Sequence, residues 1–276
     1  MAVKTVKEIS NALKKTLEMM PWIEELAADE RAGVQTALKR WHRENEKRKR
    51  KLIAYEEKKS FDKQFKRFAG DLVAGIDEAG RGPLAGPVVC AAVILPEDAQ
   101  ELIGLDDSKK ISKSERERYA AIIRDIAVSY AVHIQSARRI DELNIYAATR
   151  ESMERTVEQL PIKPDIVIAD AMQLTVSCPS EAIIKGDAQS LAIAAASILA
   201  KTTRDHLMDE LDNEYPMYKF KNNAGYGTAD HLEALYMHGP CEHHRKTFEP
   251  IKSMLKRREA DEPSFNSEFD NYPINK

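Results

Sequence analysis

The sequence predicts an α/β fold, a mixed β-sheet flanked by helices, with a small helical appendage at its N-terminus. Three observations on the 276 residues support this prediction. Short apolar runs, most of them rich in β-branched residues, alternate with longer segments of helical periodicity. Their order is strand, strand, helix, strand, helix, strand, strand, helix, which implies a mixed sheet. The first 70 residues are helical in pattern throughout.

The expected strands are short and bounded by turn residues. They are 72–77, 88–95, 129–135, 165–170 and 181–184. The expected helices between them are 112–127, 139–159 and 188–213. The chain becomes irregular beyond residue 215, and its last residues, 257–276, are polar with little to bury. We therefore expect that tail to be disordered.

The N-terminal segment carries its own start signal and a strong positive charge. Thr5 and Glu8 have the spacing of a capping box, and Pro21 separates a first helical stretch from a second. Residues 40–67 are mostly charged, with aromatic side chains interspersed. The basic run at 48–51 could contact phosphates, although a solvated helix face with aromatic residues packed inward fits equally well. We divide the chain into a helical extension (1–69), a main domain (70–256) and a tail (257–276).

Charge is distributed unevenly along the chain. The net charge is -3, but residues 1–70 have an excess of seven basic residues and the remainder an excess of ten acidic ones. A composition of 43% hydrophobic and 32% charged residues argues against wholesale disorder. A basic segment joined to an acidic body suggests a polyanionic partner for the segment and a metal centre in the body.

The cysteines and the apolar segments indicate a compartment. Cys90, Cys178 and Cys241 form no CxxC pair, which argues against a zinc ribbon and a disulfide framework. The longest apolar stretch, 191–200, is interrupted by Ser197 and is too short to span a bilayer. We therefore expect a cytoplasmic protein with no membrane partner. Separately, we expect it to be monomeric.

Two adjacent carboxylates mark the most informative stretch, residues 72–87. An apolar run leads directly into Asp77 and Glu78, and glycines and prolines follow. Neighbours in a strand point to opposite faces, so we expect the strand to end here and the glycines to bend the backbone. Paired carboxylates beside an apolar run are costly without a positive partner, and a divalent metal is the natural candidate. An acidic surface turn is the simpler alternative.

Two further carboxylates occupy comparable positions. Asp170 ends a predicted strand and Asp187 begins the Ala- and Leu-rich helix. Separately, they fit a strand-end turn and a helix N-cap. Together with Asp77 and Glu78 they make an all-oxygen site suited to Mg²⁺ or Mn²⁺, whereas no Cys/His set has zinc spacing. Acids holding two metals about 3.5–4 Å apart are the arrangement for attack of water on a phosphodiester.

A competing motif lies in the same stretch. Residues 80–85 fit the dinucleotide-binding pattern G-x-G-x-x-G/A after a strand. Pro87 and another strand-like run follow, however, in place of a helix whose N-terminus could take a pyrophosphate. Asp77 and Glu78 would also repel that group without a metal. We therefore reject the dinucleotide interpretation.

Several polar residues further along could contact a nucleic acid. A loop before the 112–127 helix and one face of the last predicted helix could hold phosphates, although a plain polar loop fits the former equally well. The residues concerned are Lys109, Lys110, Ser197, Lys201 and Arg204. Tyr226 lies between two glycines and could stack on a sugar or base, or simply belong to an ordinary turn.

With these motifs the chain closely resembles the ribonuclease HII family over about residues 70 to 250. The matching motifs are GIDEAGRGPLAGPVV at 75–89, LDDSKKIS at 105–112, the strand ending in Asp170, KGDAQSLAIAAASILAKTTRD at 185–205, NAGYGT at 223–228 and HR at 244–245. The resemblance implies a ribonuclease H-like mixed sheet. It also implies an endonuclease that cuts the RNA strand of RNA–DNA hybrids and cuts 5′ of single ribonucleotides in duplex DNA, leaving 3′-hydroxyl and 5′-phosphate ends.

The same resemblance assigns roles by position. It implies metal-binding, catalytic carboxylates at Asp77, Glu78, Asp170 and Asp187, with Mn²⁺ or Mg²⁺ as cofactor. It implies recognition of the ribose 2′-hydroxyl by the backbone of Gly80, Arg81 and Gly82, helped by Tyr226. It implies phosphate contacts from Lys109, Lys110, Ser197 and Lys201.

Two alternatives are less consistent with the residues. The related type III enzymes lack the Gly-Arg-Gly element, carry Glu in place of the fourth Asp and begin with a β-rich domain. Gly80-Arg81-Gly82, Asp187 and the helical N-terminus all argue against that assignment. A non-catalytic hybrid-binding module would have no need of four acids, so their presence favours an enzyme.

Overall fold

The computed structural model describes residues 4–106, 108 and 110–261. Five strands in this part of the chain form one mixed sheet flanked by helices, which confirms the predicted architecture. The strands are β1 Val73–Ala79, β2 Val88–Ile94, β3 Ser129–Gln135, β4 Ile166–Asp170 and β5 Ser180–Ile183. Their order across the sheet is β3-β2-β1-β4-β5.

The directions of the strands determine which strand ends lie at the same edge of the sheet. Strand β2 runs antiparallel to both β1 and β3, whereas β1, β4 and β5 are parallel. Because parallel strands end at the same edge, the last residues of β1 and β4 lie near each other.

The helices extend from the N-terminal segment to the end of the described chain. They are α1 Val6–Lys15, α2 Pro21–Glu25, α3 Ala32–Lys63, α4 Lys113–Ile126, α5 Ala137–Leu143, α6 Ile145–Glu158, α7 Gly186–Gln189, α8 Leu191–Glu214, α9 Phe220–Asn223, α10 Ala229–His238 and α11 Ile251–Asp261. Short 3₁₀ turns occur at Leu26–Ala28, Gln100–Leu102 and Pro216–Tyr218.

Helix α8 lies directly against the central strand because that strand contains a glycine. A Cβ on Gly75 would lie 2.2 Å from the carbonyl carbon of Ala192, so any side chain there would push the helix away. The N-terminal half of α8 is fully buried, and its small alanines allow this close approach. The opposite face of the sheet packs Ile76 against Met153 and Val157 of α6.

Two predicted helices are interrupted by polar caps. The predicted helix 139–159 breaks at Asn144, which has a φ of 73° and whose Oδ1 accepts a bond from the Ala147 N–H at 3.1 Å. The predicted helix 188–213 divides similarly, because the Ser190 hydroxyl accepts from the Ile193 N–H at 3.0 Å and starts α8 anew. The apolar spacing continues on both sides of each cap, so the sequence periodicity does not show where one helix ends and the next begins.

The predicted end of the first strand at Asp77 is wrong. Strand β1 continues to Ala79, and Asp77 and Glu78 pair in regular register with Ala91 and Cys90 of β2. Pairing of β1 with β4, in contrast, ends at Ile76. The last residues of β1 therefore pair with a strand on one side only.

The N-terminal helices form a small core of their own and also contact the main domain. The predicted capping box is confirmed, with Thr5 and Glu8 bonded reciprocally at the start of α1. Trp41 and neighbouring apolar residues of α1, α2 and α3 are buried together. At the other end of α3, the Tyr55 hydroxyl accepts from the Ala99 N–H at 3.2 Å, and an Asp62 carboxylate oxygen accepts from the first turn of α8.

The C-terminal part of the described chain is helical beyond the predicted domain end at 256. Helix α11 continues to Asp261, five residues into the predicted tail. The remainder of that tail lies outside the described residues. No helix in the described ranges has the length and apolar character needed to cross a bilayer.

Candidate active site

The four predicted carboxylates line one cleft of about 380 Å³ at the edge where β1 and β4 end. Asp77 and Glu78 belong to β1, Asp170 is the last residue of β4, and Asp187 lies in the short helix α7. Elements far apart in sequence thus bring these acids to a single place.

Asp77 and Glu78 reach the cleft without the bend that the sequence led us to expect. They occupy successive positions of a regular strand, and the Glu78 N–H donates to Asp77 Oδ1 at 2.7 Å. Both can line the same cleft because β4 no longer pairs with β1 beyond Ile76. The cleft lies at this edge, where β1 has no strand partner on its β4 side.

The other two acids are held by backbone contacts. Oδ1 of Asp170 accepts from the Gly186 N–H at 2.7 Å, which ties the end of β4 to the start of α7. Asp187 follows as the second residue of α7, so it is not the N-cap that its sequence position suggested; Lys185, with a φ of 57°, is at that position. Lys58 of α3 donates to the Asp187 carbonyl at 3.2 Å. The N-terminal extension therefore contacts the backbone of a predicted metal ligand.

Burial and like charge destabilise the ionised acids. Burial raises the pKa of Asp77 well above its ordinary value, and the neighbouring charges of Glu78 and Asp170 raise it further. Burial likewise raises the pKa of Glu78, with partial compensation from Arg81, whose guanidinium lies 3.4 Å from one carboxylate oxygen. Oε2 of Glu78 is buried and has no hydrogen-bond partner among the described residues.

The donor set fits a hard divalent cation in an open site. In the described chain, no three acid, imidazole or thiol groups converge on one ligating point, so the acids line the cleft without closing a shell. Mg²⁺ characteristically binds through one or two carboxylates and keeps other positions for water and substrate phosphates. The buried, unpartnered oxygen of Glu78 and the mutual repulsion of the acids are what such an ion would relieve.

The Gly-Arg-Gly segment and Tyr226 line the same cleft. Gly80 has a φ of 99°, and a Cβ there would lie 2.1 Å from Nε of Arg204, so only glycine fits. A Cβ on Gly82 would touch the Tyr226 ring at 3.5 Å, which places the ring beside the glycine. Half of Tyr226 is exposed, so its ring is available to a ligand.

Two buried arginines hold this part of the cleft, and sequence reasoning missed both roles. Arg204 donates to the carbonyls of Pro87, Ala85 and Ala224 at 2.9–3.1 Å. Its guanidinium is therefore committed to the backbone, and its predicted place in a phosphate track is wrong. The second arginine is Arg245, whose only sequence signal was the HR motif; it donates to the carbonyls of Gly80, Arg81 and Gly86.

A buried histidine pair supports the Tyr226 segment. Nδ1 of His231 lies 2.9 Å from the Tyr226 carbonyl, and Nε2 of His231 lies 3.0 Å from Nε2 of His244. Nδ1 of His244 accepts from the Cys241 N–H at 3.0 Å. These contacts assign neutral rings, with His244 donating to His231 and His231 donating to the carbonyl. Burial lowers the pKa of His244 to about 4.

The predicted phosphate contacts differ in their surroundings. Ser197 lines the cleft but is buried, sharing a 3.0 Å hydrogen bond with Ser108. Lys201 also lines the cleft and pairs with Asp205. Lys110 is exposed and pairs with Asp106 at 3.4 Å, and Lys109 lies outside the described residues. Phosphate binding by these four side chains stays a prediction.

A mixed sheet with acids from two strand ends and a following helix in one cleft defines a class, the nucleases of ribonuclease H-like fold. The family model for ribonuclease HII matches residues 74–251, and the model for the ribonuclease HII N-terminal domain matches residues 5–66. The chain belongs to the ribonuclease HII family. It is an endoribonuclease that acts on RNA–DNA hybrids.

Individual relatives agree with this assignment. Ribonuclease HII of Geobacillus sp. (strain WCH70) is 46% identical over 92% of this chain and 92% of its own length. Ribonuclease HII of Enterococcus faecalis is 47% identical over 92% of this chain and 100% of its own length. The solved ribonuclease H2 of Pyrococcus horikoshii OT3 superimposes with a TM-score of 0.59 at 28% identity, covering 67% of this chain and 98% of that one.

Proposed function

We propose that this enzyme cleaves both the RNA strand of RNA–DNA hybrids and DNA duplexes that contain a single ribonucleotide, cutting on its 5′ side to leave 3′-hydroxyl and 5′-phosphate ends. The proposal rests on one observation: the four acids, the Gly80–Gly82 backbone and Tyr226 line the same cleft. A catalytic centre and a group of residues able to contact a ribose are thereby available to one nucleotide.

In this proposal Asp77, Glu78, Asp170 and Asp187 are the catalytic carboxylates and would hold Mn²⁺ or Mg²⁺. Two such ions would activate the attacking water and neutralise charge on the phosphoryl oxygens. The protein's own contribution is positioning. The Gly186 N–H fixes the Asp170 carboxylate, and Lys58 fixes the backbone of Asp187.

Recognition of the ribose rests on backbone donors and an aromatic ring. Glycines at 80 and 82 remove side chains that would keep a sugar away from the backbone. The N–H groups of Arg81 and Gly82 can donate to the 2′-hydroxyl, the group that distinguishes RNA from DNA. The ring of Tyr226, next to Gly82, supplies a surface for the sugar.

A monomeric state and a cytoplasmic location stay predictions of the sequence.

The decisive experiment is cleavage of a labelled DNA duplex containing one ribonucleotide, with Mg²⁺, with Mn²⁺ or with EDTA, beside an all-DNA control. We expect a metal-dependent cut 5′ to the ribonucleotide and an intact control. Cutting confined to longer RNA tracts would contradict single-ribonucleotide specificity. Binding without any cutting would favour a non-catalytic hybrid binder.

A further inference from the structure

We propose that Arg245 is the positioning residue for ribose recognition, because it sets the orientation of the two peptide planes that would contact the 2′-hydroxyl. The inference rests on the proposed function and deepens it. Arg245 is fully buried, and its side chain is absent from the predicted recognition set.

The contacts of Arg245 are concentrated on one short segment. Its guanidinium donates to the Gly80 carbonyl at 2.5 Å and to the Arg81 carbonyl at 2.8 Å, and two further bonds reach the Gly86 carbonyl at 3.0 and 3.2 Å. The planar fork of an arginine fixes direction as well as distance, which a lysine ammonium does not. Both peptide planes after Gly80 are therefore held at their carbonyl end.

Because the peptide group is planar, the contacts of Arg245 with the two carbonyls also fix the direction of the Arg81 and Gly82 N–H groups. In a planar trans peptide the C=O and N–H bonds point in opposite directions. The Gly80 carbonyl shares its plane with the Arg81 N–H, and the Arg81 carbonyl shares its plane with the Gly82 N–H. When both carbonyls point to Arg245, both N–H groups point away from it. No backbone carbonyl among the described residues accepts from either N–H.

The polar partners of the buried Arg245 guanidinium are backbone carbonyls, and no ion pair of Arg245 occurs among the described residues. Burial and the nearby charge of Arg204 lower its pKa to about 9, so it stays protonated near neutral pH. Its donors are satisfied by carbonyls of the Gly80–Gly86 segment, so its polar contacts serve to shape that segment.

The test compares Arg245→Lys with Val157→Ala, a destabilising control on α6. Val157 is buried in the core on the opposite face of the sheet and does not line the cleft. The probe is a fluorescently labelled DNA duplex with one ribonucleotide, compared with the same duplex in all DNA. Affinities are measured with EDTA present, so that no strand is cut, and melting curves are recorded for each variant.

We expect the wild type to prefer the ribonucleotide duplex about tenfold, as one or two hydrogen bonds would give. Arg245→Lys should remove most of this preference without changing affinity for the all-DNA duplex, whereas Val157→Ala should keep the preference despite a loss in melting temperature. Arg245→Gln, which retains two amide donors, replaces the lysine variant if that fails to fold and should retain part of the preference.

Three outcomes overturn the inference or its basis, and they are distinguishable. An undiminished preference in Arg245→Lys, or in Arg245→Gln where that variant replaces it, overturns the role of Arg245 while leaving ribose recognition intact. Equal loss of the preference in Val157→Ala would mean that general destabilisation removes it, and this also overturns the role of Arg245. A wild-type enzyme without any preference contradicts the proposed recognition itself, whatever the variants do.

Discussion

The cleft has two contrasting sides, each carrying buried or half-buried charges of one sign. The acidic side comprises Asp77, Glu78, Asp170 and Asp187, and the braced side comprises the segments held by Arg204 and Arg245. On the acidic side, burial and then the charges of neighbouring carboxylates raise the pKa values of Asp77 and Glu78. On the braced side, burial lowers the pKa of Arg204 to about 10, but its guanidinium has three carbonyl partners.

The difference shows how a buried charge indicates its role. A charge whose hydrogen bonds are completed by the backbone stabilises local structure, because the partners offset the cost of desolvation. A charge left beside like charges, with a buried oxygen unpartnered, is stable only when a ligand arrives. The acidic side therefore has the uncompensated charge that the proposed metal ions would neutralise, and the braced side has its charges satisfied by the backbone.

Replacing one acid should produce the largest effect. We expect Asp77→Asn to lower cleavage of an RNA–DNA hybrid by at least about 1,000-fold, because a central charged oxygen ligand is lost, while substrate binding stays measurable. Asp209→Asn is the control, since Asp209 lies on α8 and pairs with Lys113 away from the acids. Unchanged cleavage by Asp77→Asn in a quantitative gel assay would refute the catalytic role of the acidic side.

Replacing a bracing arginine should instead affect stability. Arg204→Met leaves three buried carbonyls without their donor, at a cost of about 3 kcal/mol in the free energy of unfolding. The melting temperature should fall by roughly 6–12 °C. Arg43→Met, at a largely exposed position on α3, should leave it nearly unchanged. A similar melting temperature in both variants would show that the braced side does not depend on Arg204.

The histidine pair predicts a pH dependence on the braced side. The pKa of His244 is lowered to about 4, mainly by burial, so the unfolded chain binds a proton at this site more readily than the folded one. The neutral His244 ring stabilises the fold fully above pH 6.5. As the pH falls toward 4 this contribution is lost, and the free energy of unfolding falls by about 2 kcal/mol. Urea unfolding at pH 7 and 4.5 should reveal this loss, and His244→Asn should reduce it. If the free energy of unfolding of His244→Asn depended on pH just as that of the wild type does, His244 would not be the group responsible.

The smallest expected effect is a gain in stability when an acid of the cleft is neutralised in metal-free protein. In metal-free protein, Asp77→Asn removes a buried charge from among like charges and should stabilise the fold by about 1 kcal/mol. Calorimetry in EDTA should show a rise of about 2–4 °C. Asp209→Asn removes a charge from an ion pair and should show no rise. Destabilisation by Asp77→Asn would mean that the carboxylate supports the fold in its own right.

Local sequence signals predicted much of this protein. Alternation and β-branched content located all five strands to within a few residues, and the Thr5–Glu8 spacing identified the first helix start. Runs of this kind act over neighbouring residues, so the chain carries their signal directly. The four acids were recognisable because each stood at the end of an apolar run or the start of a helix.

Tertiary structure alone decided how those acids and loops are arranged. Nothing near Asp77 in the sequence shows that β4 stops pairing at Ile76, although this is why Asp77 and Glu78 share a cleft from a regular strand. Six of the seven hydrogen bonds that Arg204 and Arg245 donate reach backbone carbonyls more than 100 residues away in the sequence. Periodicity records which face of an element is apolar, whereas a hydrogen bond between distant segments leaves no trace in it, because any residue supplies a carbonyl.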